Sequence, residues 1–270
     1  SILAMNWIFL NKKNSDEYIE MFARGSGTVP TELETWRYED SPDPLVIRGI
    51  LKHKIIKQCW EHKRPFWYMD SGYVGNRPNL QNPHGWKQWH RLVPNNLQHG
   101  EVIPRPADRW QRHAIAMPSR QRGSKILLAV PDEKPCIFYN INLAEWIEQT
   151  VATIKQHTDR EIVIRERNPN RQARVASDLQ SALSDVHAVV TYNSIAATES
   201  ILAGVPAFVL APSNAAMPVS NTDLSEINNP WYPEQDQIYA WACHLAYGQF
   251  HNSELLDGTA LRILQETNNA

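Results

Sequence analysis

Residues able to do chemistry gather at three places in the sequence. The stretch YNSIAATESILAGVPAFV (192–209) follows the apolar run HAVVT and opens on Asn193 and Ser194. A helix of small residues comes next, carrying one acid, Glu199. Free N–H groups at such a strand-to-helix turn, together with the helix dipole, favour a phosphate. The hydroxyls of Thr191 and Ser194 can add hydrogen bonds, and Glu199 can accept from vicinal hydroxyls such as those of a ribose. The set suits a nucleoside diphosphate. The competing reading is an ordinary serine N-cap followed by an exposed glutamate.

The second place is FWYMDSGYVGN (66–76), where a strand ends on Asp70 and the chain turns at Gly72. A carboxylate at the carboxyl end of a strand can take a proton from a hydroxyl, and neighbouring aromatic rings can raise its pKa by desolvation. Equally, Asp70 can be an Asx residue that stabilises the turn. His84 and His90 are the nearest alternative bases.

The third is the segment from Arg77 to Lys125, with nine Lys and Arg against only Glu101 and Asp108. Trp86, Trp89 and Trp110 interleave with them. Cations alternating with aromatics suit a nucleic-acid backbone and a stacked or extruded base. Arg77, Trp86, Trp89, His90, Arg91, Arg109 and Arg112 are the residues expected to contribute. A solvated basic face over core tryptophans has the same composition, and Arg91 alone reads equally as a phosphate clamp or a surface arginine.

The elements that must position these residues alternate. NWIFL, PLVIRG and FWYMD read as strands, separated by helical stretches at 15–24, starting at Ser15 as N-cap, and at 50–63. KQWHRLVP can hold one more strand. From Lys125 a second series begins: KILLAVP, EIVIRER, HAVVTY and PAFVL as strands, with helices at 143–158, SDLQSALSD and SIAATESILAG between them. Two helices complete the tail. Strand–helix alternation predicts parallel α/β sheets. The expectation is two α/β domains, 1–122 and 123–270, with a ligand beyond the carboxyl ends of the strands in an interdomain cleft.

Composition narrows the classes. With 42% hydrophobic residues in 270, a packed core is expected, not disorder. Lacking a run of about 18 apolar residues, the sequence offers no membrane span, and its start lacks the features of a signal peptide. Met5 is a plausible native start. Cys59, Cys136 and Cys243 are widely spaced, which excludes a paired zinc motif and suits reduced thiols in a cytoplasm. Residues 1–125 hold 19 basic and 12 acidic side chains, a net of +7, whereas 126–270 hold 8 and 17, a net of −9. Such asymmetry points either to an anionic partner for the first half or to attraction between halves. A P-loop, a dinucleotide-binding glycine fingerprint and a G-x-S-x-G elbow are all missing, as is a D-x-D for a divalent ion.

SALSDVHAVVTYNSIAATESILAGVPAFV resembles the donor-binding segment of GT-B glycosyltransferases, in particular capsule-type bacterial enzymes and phage relatives. The resemblance covers about residues 125–260 and the first half only in outline. It implies two Rossmann-like domains, a UDP-sugar co-substrate and no further cofactor or metal. By that resemblance Asn193, Ser194, Thr191 and Arg165 would hold the diphosphate, Glu199 the ribose, and Asp70 would be the general base. Some phage members of the group glycosylate hydroxymethylated pyrimidines such as hydroxymethylcytosine in DNA. That acceptor fits the basic segment and sets the expected partner as DNA. The alternatives are a capsule or lipopolysaccharide acceptor, or a non-catalytic nucleic-acid-binding protein on the same scaffold.

Overall fold

The computed structural model describes residues 6–13, 16–76, 87–166 and 179–268. Ser15, Arg77, His84 and Trp86 lie outside the described residues. In chain order the strands are β1 (Ile8–Asn11), β2 (Thr31–Glu32), β3 (Leu45–Arg48), β4 (Phe66–Ser71), β5 (Trp89–Pro94), β6 (Lys125–Ala129), β7 (Ile162–Arg165), β8 (Val186–Thr191), β9 (Ala207–Val209) and β10 (Gln249–His251). The helices are α1 (Glu17–Gly25), α2 (His53–His62), α3 (Asp108–Gln111), α4 (Glu133–Tyr139), α5 (Leu143–Lys155), α6 (Leu179–Ala182), α7 (Ala196–Leu202), α8 (Gln235–Ala246), α9 (Asn252–Leu256) and α10 (Thr259–Asn268).

The chain forms two compact α/β units. The first takes residues 1–76, 86–97 and 247–270, the second 77–85 and 98–246. This differs from a single division at 122/123, for two physical reasons. Residues 98–124 belong to the second unit: Arg109 Nε donates to the Ala246 carbonyl at 2.9 Å and the Gln121 N–H to the Gly204 carbonyl at 2.7 Å. The tail returns to the first unit because β10 pairs antiparallel with β5 and α9 and α10 join its core.

In the first unit the strand order is β10-β5-β4-β3-β1-β2. The four strands β1 to β4 are parallel, whereas β5 runs antiparallel to β4. The runs IFLN, LVIR and FWYM are buried nearly throughout, as strands covered on both faces must be. Helix α1 sets Tyr18, Ile19, Phe22 and Ala23 into a core with Phe9, Val46, Trp67 and Met69. Leu255, Leu261 and Leu264 of the tail complete it. Burying a ring such as Phe22 completely stabilises by about 2 kcal/mol. Close packing of the tail requires Gly25, where a Cβ would stand 1.8 Å from the Leu255 carbonyl oxygen.

In the second unit four parallel strands lie in the order β7-β6-β8-β9. Period-two alternation sends Ile126, Leu128, Ala188 and Val190 to one face, where Leu143, Trp146, Ile147 and Val151 of α5 cover them. Leu127, Val186 and Val189 point to the other face, against Leu179 of α6 and against Leu183 and Val205.

Each sheet therefore has a switch point. The chain steps from β1 to β2 on one side and to β3 on the other, and likewise from β6 to β7 and then β8. Two elements escape a reading of the sequence. Helix α4 carries Pro135 in its first turn, where the missing N–H costs nothing. Strand β10 has only three residues and is defined by its partner β5. The three cysteines are buried free thiols. Among the described residues no helix is long and apolar enough to cross a membrane.

Candidate functional site

In open parallel sheets ligands bind beyond the carboxyl ends of the strands at the switch point. In the second unit that point lies between β6 and β8, and the residues that follow β8 are those of the opening motif. Register puts Arg165, Ala129 and Thr191 level at the end of three adjacent strands and on one face. Arg165 and Thr191 are thus two strand spacings apart, about 10 Å between backbones.

The turn after β8 has its carbonyls tied back and its N–H groups left over. The Thr191 carbonyl accepts from Leu210 N–H at 3.0 Å and the Tyr192 carbonyl from Ala211 N–H at 3.1 Å. Gln98 Nε2 donates to the Asn193 carbonyl at 2.6 Å, and Asn214 Nδ2 to the Ser194 carbonyl at 3.3 Å. Both braces are buried and anchored in turn: Gln98 Oε1 accepts from Ala215 N–H at 2.8 Å, and Asn214 Oδ1 from Ala216 N–H at 3.0 Å. Among the described residues the N–H groups of Asn193, Ser194 and Ile195 donate no hydrogen bond. Successive free N–H groups with their carbonyls turned away make a concavity of partial positive charge that suits an anion.

Side chains complete this end of the sheet. Ser194 Oγ accepts from Ala196 N–H at 3.0 Å, which opens α7 as a cap would. Thr191 is fully buried, and its hydroxyl has no hydrogen-bond partner among the described residues. Glu199 lies on the exposed side of α7, one turn in. Tyr192 packs edge-on against Tyr139 at 5.0 Å and Trp146 at 6.2 Å, a group of half-buried rings that the sequence motif alone does not single out. A surface hollow lined by Lys125, Leu127, Val163, Arg165 and Val186 runs toward the amino ends of β6 and β8. It touches Arg165 but not Ser194.

In the first unit the switch point lies between β1 and β3, and Arg48 and Asp70 stand at the carboxyl ends of β3 and β4. Asp70 is next to last in β4. Its carboxylate accepts from the Tyr68 hydroxyl at 2.5 Å and from Ser71 N–H at 2.8 Å, and Arg91 Nη2 stands 3.8 Å away. Burial pushes the Asp70 carboxyl up, but the charges of Arg91 and Arg48 with those two hydrogen bonds outweigh it and hold it below its ordinary value. Desolvation thus acts on this carboxyl in the direction expected from sequence, but the two arginines and the two hydrogen bonds reverse the net shift. The nearest ring, Tyr68, donates a hydrogen bond to the ionised form, and Asp70 is an anion throughout the neutral range. Its side chain is 29% exposed, so a hydroxyl can reach it.

The expected basic segment folds differently from a surface track. His90 is buried, packs on the Tyr18 ring at 4.1 Å and bonds Asn252 Oδ1 through Nε2 at 2.7 Å. Burial lowers its imidazole to about 4, which removes it as a cation at neutral pH. Arg91 is buried too, with Nε donating to the Leu97 carbonyl and Nη1 to the Ser71 carbonyl. Arg109 serves the Ala246 carbonyl from inside its unit, and Trp110 is core. Trp89 is half-buried against His251 at 5.2 Å. Of the expected nucleic-acid contacts that are described, only Arg112 is exposed. Among the described residues no cluster of three or more His, Cys, Asp or Glu gathers to hold a metal ion.

No family model matches the chain, and no curated protein sequence matches it. Among solved structures the chain is similar to the KpsC β-Kdo 2,4-transferase of Thermosulfurimonas dismutans, with a TM-score of 0.47 and 12% identity over 90% of this chain and 98% of that one. It is also similar to the KpsC β-Kdo 2,7-transferase of the same organism, with a TM-score of 0.45 and 14% identity over 94% of this chain and 99% of that one.

Proposed function

We propose that the chain is a nucleotide-sugar-dependent glycosyltransferase. The observation that carries this reading is the turn after β8: three consecutive N–H groups, at Asn193, Ser194 and Ile195, that donate no hydrogen bond among the described residues, with the neighbouring carbonyls tied back. A diphosphate is a natural occupant of such a turn at a switch point. Arg165 and the Thr191 and Ser194 hydroxyls are assigned to the same diphosphate, and Glu199 to the ribose of a UDP-sugar.

Asp70 is the proposed general base. The acceptor oxygen attacks the anomeric carbon, the bond from that carbon to the diphosphate oxygen breaks, UDP departs, and Asp70 takes the acceptor proton. A hydroxymethylated pyrimidine in phage DNA is one acceptor. It draws on the net +7 of residues 1–125. The burial of Arg91 and Arg109 takes two cations from that support, and burial of His90 removes a third expected contact. An acidic saccharide of capsule or lipopolysaccharide type needs no such track and is the second acceptor to test.

The deciding experiment measures UDP release from a panel of UDP-sugars, with hydroxymethylated DNA and with acidic saccharides, followed by mass analysis of the products. A sugar-sized mass gain on a base or a saccharide establishes the class and the acceptor together. DNA binding with no release from any donor would replace the enzyme by a binding protein.

A further inference from the structure

Among the described residues Lys52, Arg91 and Arg48 stand near the switch point of the first unit with the carboxylates of Asp16 and Asp70, Lys12 and Glu17 lie at its margin, and of the first three only Lys52 and Arg91 have a carboxylate within ion-pair distance. Lys52 Nζ, on the turn after β3, meets Asp16 Oδ2 at 2.8 Å, and the same oxygen accepts from Lys12 N–H at 2.9 Å. Arg91 stands by Asp70 at 3.8 Å and spends its other N–H groups on the Leu97 and Ser71 carbonyls. Arg48, the last residue of β3, is left. Its guanidinium lies over the Tyr18 ring at 5.0 Å, its Nε is buried without a hydrogen-bond acceptor, and among the described residues it forms no ion pair. Its charge nevertheless reaches the whole cluster, acting on Tyr18, Lys52, Tyr68, Asp70 and His90.

A half-buried guanidinium with an unused, desolvated N–H is an unfavourable arrangement unless something supplies the acceptor. Its place is significant as well. Register pairs Arg48 with Met69, and the chain turns at Gly49 directly after it, so the side chain stands at the carboxyl edge of β3 beside β1. That is where an open α/β sheet takes its ligand. Two independent observations thus meet at one residue: the switch point and a half-buried cation whose Nε has no acceptor among the described residues. Of all side chains, guanidinium is the one suited to the planar or tetrahedral oxyanions of carboxylates and phosphates, which it binds with paired N–H groups.

We propose that Arg48 anchors an oxyanion, a carboxylate or a phosphate monoester, carried by a small acidic ligand of the first unit. Identifying that ligand as the sugar acceptor rests on the glycosyl-transfer reading; the anion site itself does not. Asp16, held by Lys52, and Glu17, which bonds the Tyr18 beneath the guanidinium, place negative charge close by and favour a singly placed anion over a polyanion lying across the site. The acceptor is then a molecule with one acidic group near the hydroxyl that reacts.

The test is titration of the full chain with sodium glucuronate and, separately, with glucose 6-phosphate, by calorimetry at constant ionic strength, with glucose and sodium chloride as blanks. Saturable binding of either acid is expected, at least tenfold weaker in Arg48→Gln and partly recovered in Arg48→Lys. Arg24→Gln, which alters an exposed arginine paired with Glu20, is expected to bind like the parent. Binding of glucuronate alone assigns the site to carboxylates, and of glucose 6-phosphate alone to phosphates. Failure of both acids to bind, or equal binding by a folded Arg48→Gln chain, overturns the proposal. UDP affinity is measured on the same samples. Loss of UDP binding in the parent with acid binding intact would remove the glycosyl-transfer reading and leave the oxyanion site standing.

Discussion

Tyr68 donates its hydroxyl hydrogen to the Asp70 carboxylate across 2.5 Å, from two residues back on the same face of β4. The phenol is fully buried and its pKa is raised, first by desolvation and then by the Asp70 charge, so it remains a donor at every working pH. The pair therefore fixes both the orientation of Asp70 and its ionised state. Tyr68→Phe removes a bond to a charged acceptor, a loss of about 1–2 kcal/mol. The Asp70 carboxyl then rises. Its folded value is depressed, so its contribution to stability is present at neutral pH and lost as pH falls through that value. In the variant this loss begins at higher pH, and the acid limb of the transfer rate moves up with it. A pH–rate profile reads the shift, and an unmoved limb would dissociate Asp70 from proton transfer.

Gln98 is the equivalent brace in the second unit, holding the Asn193 carbonyl with one end of its amide and Ala215 N–H with the other. Replacing it with Leu keeps the volume and leaves two polar groups in a buried place without partners. The expected cost is about 1–3 kcal/mol, read as a lower urea midpoint. The freed carbonyl can also swing toward the anion position, so UDP affinity should fall by more than the stability change alone explains. Unchanged UDP binding in a folded Gln98→Leu chain would mean that the turn after β8 does not hold the diphosphate.

How far the sequence discloses these relations depends on what each one needs. Strands such as LVIR and HAVVT show themselves because both faces are buried, and so do the residues at their ends. Arg48 is visible at the end of PLVIRG, but its significance is not. Only the switch point and the pairing of Lys52 with Asp16 mark it as a cation that forms no ion pair among the described residues. The charge count misleads for a related reason. Net charge is blind to burial, and Arg64, Arg91 and Arg109 spend guanidinium N–H groups on backbone carbonyls inside the fold. A segment rich in Arg and Trp thus reads alike whether it clamps a loop or binds a polyanion. Gln98 is illegible for want of proximity, since its partner Asn193 lies 95 residues further along the chain.

His90 gives stability a definite pH dependence. Burial depresses its pKa to about 4, against an unfolded value near 6.5. Above pH 6.5 neither state holds the proton and the fold loses nothing. Between about 6.5 and 4 the unfolded chain takes up a proton that the native chain refuses, and stability falls by up to about 3 kcal/mol. His244 in the second unit is lowered to about 4 as well, by burial and by Arg105, and acts in the same window. Urea midpoints measured from pH 7.5 to 4.5 should decline steadily, with a shallower slope in His90→Gln. A flat profile for the parent would mean that both imidazoles are solvated.

Gly204, just after α7, and Glu199, within it, separate folding from binding over a few residues. Gly204 follows α7 at φ +91°, and a Cβ there would come 2.1 Å from the Ser119 carbonyl oxygen. Backbone strain and backbone collision therefore act together in Gly204→Ala, and a loss of about 2 kcal/mol or more is expected. Glu199 is exposed on the same helix. Glu199→Gln should leave the urea midpoint within about 0.5 kcal/mol of the parent while weakening UDP by about 1–3 kcal/mol, the scale of hydrogen bonds to a charged group. The two variants are expected to fail opposite assays, denaturation for one and calorimetry for the other. If Glu199→Gln bound UDP as the parent does, the ribose would have to be placed elsewhere, while the diphosphate assignment to the turn after β8 would still be tested by Gln98.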